Sequence, residues 1–187
     1  MVFTPSNAVL QRASPVLEID LNNDGVADFN LYEYFISTIF FSFDLRIYGQ
    51  GKDISQVEQY SRGREFLPAL TEGTRIGGGG SFTTWGNLAY REAYSSTGKG
   101  YFINTTNRSL GVKFTINGQV HYGWIGFRRV GASLTAKLYG WAYETEPNKA
   151  ILAGDTGSDS TVLRSAEPCR SPKFHSGQKQ RQFTVQF

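Results

Sequence analysis

Leu110-Gly-Val-Lys-Phe-Thr-Ile116, Asn117-Gly118, Gln119-Val-His-Tyr-Gly-Trp-Ile-Gly-Phe127 reads as two strands and the turn between them. Both runs are rich in β-branched and aromatic residues, and Asn-Gly supplies the two positive φ angles of a type I′ turn, so a two-residue β-hairpin is predicted. A turn this tight places Leu110, Val112, Phe114 and Ile116 on the same face as Gln119, His121, Gly123 and Ile125, and Lys113, Tyr122 and Trp124 on the other. Gly111 then lies opposite Trp124, which leaves room for an indole flat on the sheet. Downstream, Leu134 to Glu144 alternates as a third strand, with Leu134, Ala136, Leu138 and Ala142 on one side and Thr135, Lys137, Tyr139, Trp141 and Tyr143 on the other.

Upstream of the hairpin, Phe29 to Tyr48 is β-branched and aromatic with partial alternation, which predicts two consecutive strands covered on both faces. It contains the longest apolar stretch, Tyr34 to Phe43, interrupted by Ser37, Thr38 and Ser42 and too short to span a bilayer, so no membrane span is expected. Residues 54–100, with scattered Gly, Ser, Thr and Arg and the run Gly77–Gly80, predict short strands in a long meandering connection. Pro147 and then Ile151-Leu-Ala-Gly154 predict a turn and a closing strand. After Gly154 the chain turns polar and loses hydrophobic periodicity. The organisation predicted is an N-terminal extension over 1–15, a domain over 16–154 and a flexible polar tail over 155–187. Antiparallel strands, Gly-rich connections and no helical period predict an all-β, antiparallel β-sandwich, with a jelly roll as one version.

Composition sets the outer bounds. The chain has 187 residues, of which 40% are hydrophobic, 14% aromatic and 19% charged, enough for one domain with a sizeable core. Residues 1–154 hold 14 Lys/Arg against 13 Asp/Glu, and residues 155–187 hold 5 against 3, so the domain is nearly neutral. Without a basic stripe it lacks the electrostatic footprint of a nucleic-acid binder. The single cysteine, Cys169, closes no intramolecular disulfide, and no Cys/His spacing suggests zinc. Met1 to Leu10 shows neither a basic n-region nor a sustained apolar h-region, so no secretory signal is visible there.

One motif carries metal chemistry. Asp20-x-Asn22-x-Asp24-Gly25-x-x-Asp28 sets oxygen-bearing side chains at alternate positions ahead of a turn-permitting glycine. Calcium takes six to eight oxygens, and this spacing offers Asp20, Asn22, Asp24, the Val26 carbonyl and Asp28. It is not an EF-hand, because Leu31 occupies the position of the bidentate Glu. The alternative is an Asx-rich turn without an ion, since Asp and Asn also bond their own backbone. A second motif is aromatic. Tyr122, Trp124, Tyr139, Trp141 and Tyr143 recur at period two, either as a surface that stacks on sugar rings or, as such patterns more often are, as filling of a β core.

Catalytic constellations are poor. His121 falls opposite Phe114 on the apolar hairpin face, the place of a hydrogen-bonded structural histidine, and His175 lies in the tail. One histidine inside the domain assembles no nucleophile and base triad. Glu33, Asp44, Glu92 and Glu144 lie in or near strands, yet no spacing pairs two of them for glycoside hydrolysis. Gly77–Gly80 runs into Ser81-Phe82, without the Lys-Ser/Thr ending of a phosphate loop. A non-enzymatic protein is expected.

Three segments together, Ile19 to Phe29, Leu110 to Ile125 and Gly140-Trp-Ala-Tyr-Glu-Thr-Glu-Pro-Asn-Lys-Ala-Ile-Leu-Ala-Gly154, resemble exported bacterial proteins that carry a C-terminal PEP-CTERM sorting signal. The resemblance covers roughly residues 16–154, with a looser link through Leu70-x-x-Gly73-x-x-Ile76-Gly77. It implies export, a role at the cell surface or in the exopolysaccharide matrix, polysaccharide or other matrix components as partners, and a calcium site at Asp20, Asn22, Asp24 and Asp28. It supplies no catalytic residues. Where such proteins end in Pro-Glu-Pro, an apolar helix and a basic end, this chain has Glu167-Pro168-Cys169-Arg170 and a polar sequence to Phe187, so the sorting signal is absent from it.

Overall fold

The computed structural model describes residues 1–10, 16–36, 42–49, 53–55, 60–61, 64–92 and 94–157. Along the chain run β1 (Val2–Pro5), β2 (Val9–Leu10), β3 (Val16–Ile19), β4 (Phe29–Ile36), β5 (Ser42–Gly49) and β6 (Asp53–Ser55). Short strands follow: β7 (Tyr60–Ser61), β8 (Arg64–Glu65), β9 (Arg75–Ile76) and β10 (Phe82–Thr83), then β11 (Trp85–Glu92) and β12 (Gly98–Lys99). The last four are β13 (Thr106–Ile116), β14 (Gln119–Val130), β15 (Ala136–Tyr143) and β16 (Ile151–Leu152). These strands pair antiparallel, so the chain has the all-β, antiparallel class that its alternation predicts. Among the described residues no helix is long and apolar enough to cross a membrane.

The larger sheet runs β1-β15-β14-β13-β6-β10, with β2 also on β15; the second runs β12-β11-β5-β4-β3. The hairpin β13/β14 has the predicted register: Leu110 opposite Ile125, Val112 opposite Gly123, Phe114 opposite His121 and Gly111 opposite Trp124. Its turn is fixed by Asn117 and Gly118 at φ 51° and 77°, the two left-handed positions a type I′ turn demands. Both sheets feed one core: Ile19, Phe29, Leu31 and Leu88 from the second meet Leu110, Val112, Phe114, Ile125 and Phe127 from the larger. Burying a side chain of this size stabilises the fold by about 1.5–3 kcal/mol each. On the far face of the larger sheet, Tyr122, Trp124 and Ala142 pack under the ribbon β9/β16, with Ile76, Ile151 and Ala153.

Three expectations need correction. Residues 1–10, read as part of an extension, carry β1 and β2 on β15, with Val2 opposite Tyr143 and Leu10 fully buried in the core. They cover what is otherwise an open strand edge, a role visible only once β15 is placed. Next, the eight-residue β11 lies inside the second sheet, between β12 and β5, although residues 54–100 show no clear alternation. Residues Gly86 to Tyr90 are buried without a break, and a register irregularity falls between Asn87 and Ala89, so period two is erased.

The third correction concerns β15. Leu134, Ala136 and Leu138 enter the shared core as expected, but Ala142 joins the far-face cluster while Trp141 and Tyr143 pack on the core side. The register explains the exchange: Gly126 pairs with Gly140 and Phe127 with Leu138, which leaves Tyr139 as an extra residue. A bulge of one residue reverses every side chain beyond it. Gly140, at φ 150°, permits the close pass, because a Cβ there would lie 2.6 Å from the Thr4 carbonyl oxygen. The proposed tail from residue 158 onward lies outside the described residues, with Cys169 and His175 in it.

Candidate functional site

The acidic loop joins β3 to β4 in the second sheet. Asp28 closes it from inside: the side chain is buried, Oδ2 accepts the Leu21 N–H at 2.9 Å, and the Asp28 N–H donates to the Ile19 carbonyl at 2.8 Å. Asp20 accepts the Gly25 N–H at 2.8 Å through Oδ2 and the Asp24 N–H at 3.3 Å through Oδ1. Asn22 Oδ1 accepts the same Asp24 N–H at 3.2 Å, so oxygens of Asp20 and Asn22 converge on one atom. Asp24 Oδ1 accepts the Val26 N–H at 2.9 Å, and its Oδ2 accepts from Asn22 Nδ2 at 2.8 Å. Asn23 and Gly25, at φ 58° and 87°, make the bends that bring these groups together.

This is the Asx-turn network offered above as the alternative to a calcium cage. Among the described residues, no three His, Cys, Asp or Glu side chains converge closely enough to hold a metal ion. The donor set still has the right chemistry. An ionised carboxylate has about four lone-pair sites, and the two N–H groups that Asp20 accepts do not exhaust them. The segment Asp20 to Asp28 holds three carboxylates and no Lys or Arg.

The aromatic residues named as a sugar-stacking surface do not form one. Trp124 is 0% exposed and Tyr122 6%, while Tyr139 and Trp141 are half-buried. Trp124 donates its indole N–H to the Asp155 carbonyl at 3.1 Å and lies 5.8 Å from the Phe3 ring and 5.6 Å from that of Tyr139. A sheet face with a two-stranded ribbon over it is a second core, so these large rings are filling, not platform. His121 is structural too: it is buried, and its Nδ1–H donates to the Glu144 carbonyl at 2.8 Å. Of the four carboxylates weighed for hydrolysis, Glu92 meets Lys99 at 3.9 Å, and Glu144 meets the terminal ammonium at 3.4 Å and Lys149 at 3.5 Å. Burial works to raise the Glu144 pKa, but the Glu146 N–H and these two cations outweigh it and hold it below the ordinary value.

A place that sequence reasoning missed lies beside the Trp124 cluster. Glu72, Asn107, Ser109, Arg128, Tyr139 and Gly154 line a cleft of about 260 Å³. Tyr139, the extra residue of β15, sets its hydroxyl 3.1 Å from Ser109 Oγ. Burial raises the Tyr139 pKa and nearby Glu72 adds to the rise, while the Ser109 hydrogen bond opposes both. Arg128 is the residue skipped between Phe127 and Arg129 where the register recovers, and it is exposed. The adjacent arginines Arg128-Arg129, both exposed directly after the buried run His121 to Phe127, mark this irregularity. No family model matches this chain, and neither does any curated protein or solved structure.

Proposed function

We propose that this chain is a non-catalytic β-domain of a surface or matrix protein whose Asp20–Asp28 loop binds one calcium ion outside the cell. The supporting observation is the loop itself, where oxygens of Asp20 and Asn22 converge on the Asp24 amide with Asp24 beside them and Asp28 locking the base. Asp20, Asn22, Asp24 and the Val26 carbonyl would hold the ion, which screens three neighbouring carboxylates from one another. The motif's resemblance to the acidic loop of PEP-CTERM proteins supports the extracellular assignment, and calcium sites of extracellular modules work at about 10⁻⁴–10⁻³ M.

Binding to the folded state alone stabilises it by about 2.7 kcal/mol when calcium is a hundredfold above its dissociation constant. For a domain of this size that raises the melting temperature by about 5–10 °C. The test compares wild type and Asp24→Asn in calcium and in chelator. The amide oxygen of Asn can still accept the Val26 N–H, and the one exposed hydrogen bond lost, from Asn22 Nδ2, costs about 0.5–1.5 kcal/mol, so the gap between the variants should be small in chelator and widen in calcium. A wild-type melting temperature indifferent to calcium defeats the proposal.

A further inference from the structure

The polar cleft on the far face of the larger sheet is assembled by departures from regular structure. The two register shifts leave Tyr139 on β15 and Arg128 on β14 as extra residues that line it, and Asn107, at φ 50°, lies on β13 between the partners of Phe127 and Arg129. Gly126 makes room beneath the Tyr139 ring, since a Cβ there would fall 2.3 Å from Cζ. Glu72 sits on a turn tied at both ends: the Thr74 N–H donates to the Thr71 carbonyl at 3.1 Å and the Gly73 N–H to the Ala153 carbonyl at 2.9 Å. Its stem rests on Gly154, whose Cβ position would be 3.3 Å from Glu72 Cγ. Bulges conserve no ladder hydrogen bond of their own, and they commonly re-aim side chains at functional sites.

We infer that this cleft holds one neutral sugar ring of a polysaccharide. Its charge balances, with one guanidinium and one carboxylate, and among the described residues neither Arg128 nor Glu72 has an ion-pair partner, so both keep their hydrogen-bonding capacity for a ligand. Each hydroxyl of a sugar both donates and accepts. Glu72 takes the donated hydrogens, while Arg128 and Asn107 supply donors and the Tyr139 and Ser109 hydroxyls serve either need. An anionic ligand gains from Arg128 but is repelled by Glu72, so a neutral polyol fits the set better. The volume of about 260 Å³ falls below the about 300–1,000 Å³ of pockets for drug-sized ligands, which suits one ring and not a disaccharide. Glu72, Asn107 and Arg128 are exposed, so a chain can continue out of the mouth. The site is independent of the calcium loop, which lies in the other sheet.

Saturation-transfer NMR on the full chain, with methyl glycosides of glucose, galactose and mannose and with glucuronate as probes, tests this. Glu72→Gln and Arg128→Gln change exposed side chains and leave the core intact. Saturable transfer to at least one neutral glycoside is expected, weakened about tenfold or more by either change, since hydrogen bonds to charged groups are the strong ones. No saturable transfer to any glycoside overturns the inference, as does binding undiminished in both variants. Selective binding of glucuronate that tightens in Glu72→Gln overturns it in favour of an anion site. Repeating the titration in chelator separates this outcome from the calcium proposal, which is read from melting temperature.

Discussion

Gly126→Ala probes the packing that forms the cleft floor. The added methyl would lie 2.3, 2.6 and 2.7 Å from Tyr139 Cζ, Cε1 and Cε2, where ordinary contact begins near 3.4 Å, so the ring must lift by roughly an ångström. It has little freedom to do so: Ser109 holds its hydroxyl at 3.1 Å, and the Trp124 ring centroid is 5.6 Å away. Overpacking of this kind costs about 1–3 kcal/mol, and a lost hydrogen bond adds about 1 kcal/mol. The smaller unfolded-state entropy of alanine returns about 0.4–1 kcal/mol, so a net loss of about 1–3 kcal/mol is expected. Equilibrium urea unfolding measures it, with the midpoint falling and the slope unchanged. In Tyr139→Ala the same Gly126→Ala change should cost little, which gives a coupling above about 0.5 kcal/mol in the double-mutant cycle. A single-variant loss under about 0.5 kcal/mol, or additive losses, refutes the ring-on-glycine packing.

Three further outcomes follow from the same geometry. Glu144 has a lowered pKa in the folded state, so its stabilising share is complete above the ordinary carboxylate range and is lost as pH falls through the folded value. Glu144→Gln should therefore lower the melting temperature at pH 7 and flatten its decline between about pH 5 and pH 3; an unchanged acid slope contradicts the ion-pair assignment. Of the three tryptophans, Trp85 is 39% exposed, Trp141 half-buried and Trp124 fully buried, so Trp85→Phe should remove most iodide-quenchable emission and leave a blue-shifted remainder. Quenching that survives that substitution and disappears in Trp124→Phe would restore the exposed-platform reading. Tyr139 should ionise above the ordinary tyrosine range in an absorbance titration, and Tyr139→Phe identifies its step.

What could be read from the sequence was local. The hairpin register follows from one dipeptide, Asn117-Gly118, together with strict alternation, because a type I′ turn leaves no freedom in pairing. The acidic loop was legible as a motif, yet its residue types serve an ion or their own amides equally, and only the hydrogen bonds of Asp20, Asn22 and Asp24 show how the loop is satisfied in this structure. Alternation failed at Tyr139 because the bulge depends on how β15 registers against Gly126 and Phe127, a non-local fact. Strands β1 and β2 were hidden for a similar reason: four and two residues long, they are defined by the edge they cover. The cleft was invisible because Glu72, Asn107, Arg128 and Tyr139 come from separate segments that meet only in the folded chain.

The calcium proposal is tested most directly by amide NMR of the chain titrated with calcium to about 10 mM, above the affinity range of extracellular modules. Saturable shifts concentrated on the amides of Asp24, Gly25 and Val26, and abolished in Asp24→Asn, are expected. Shifts that never saturate, or that leave those three amides unmoved, would contradict it.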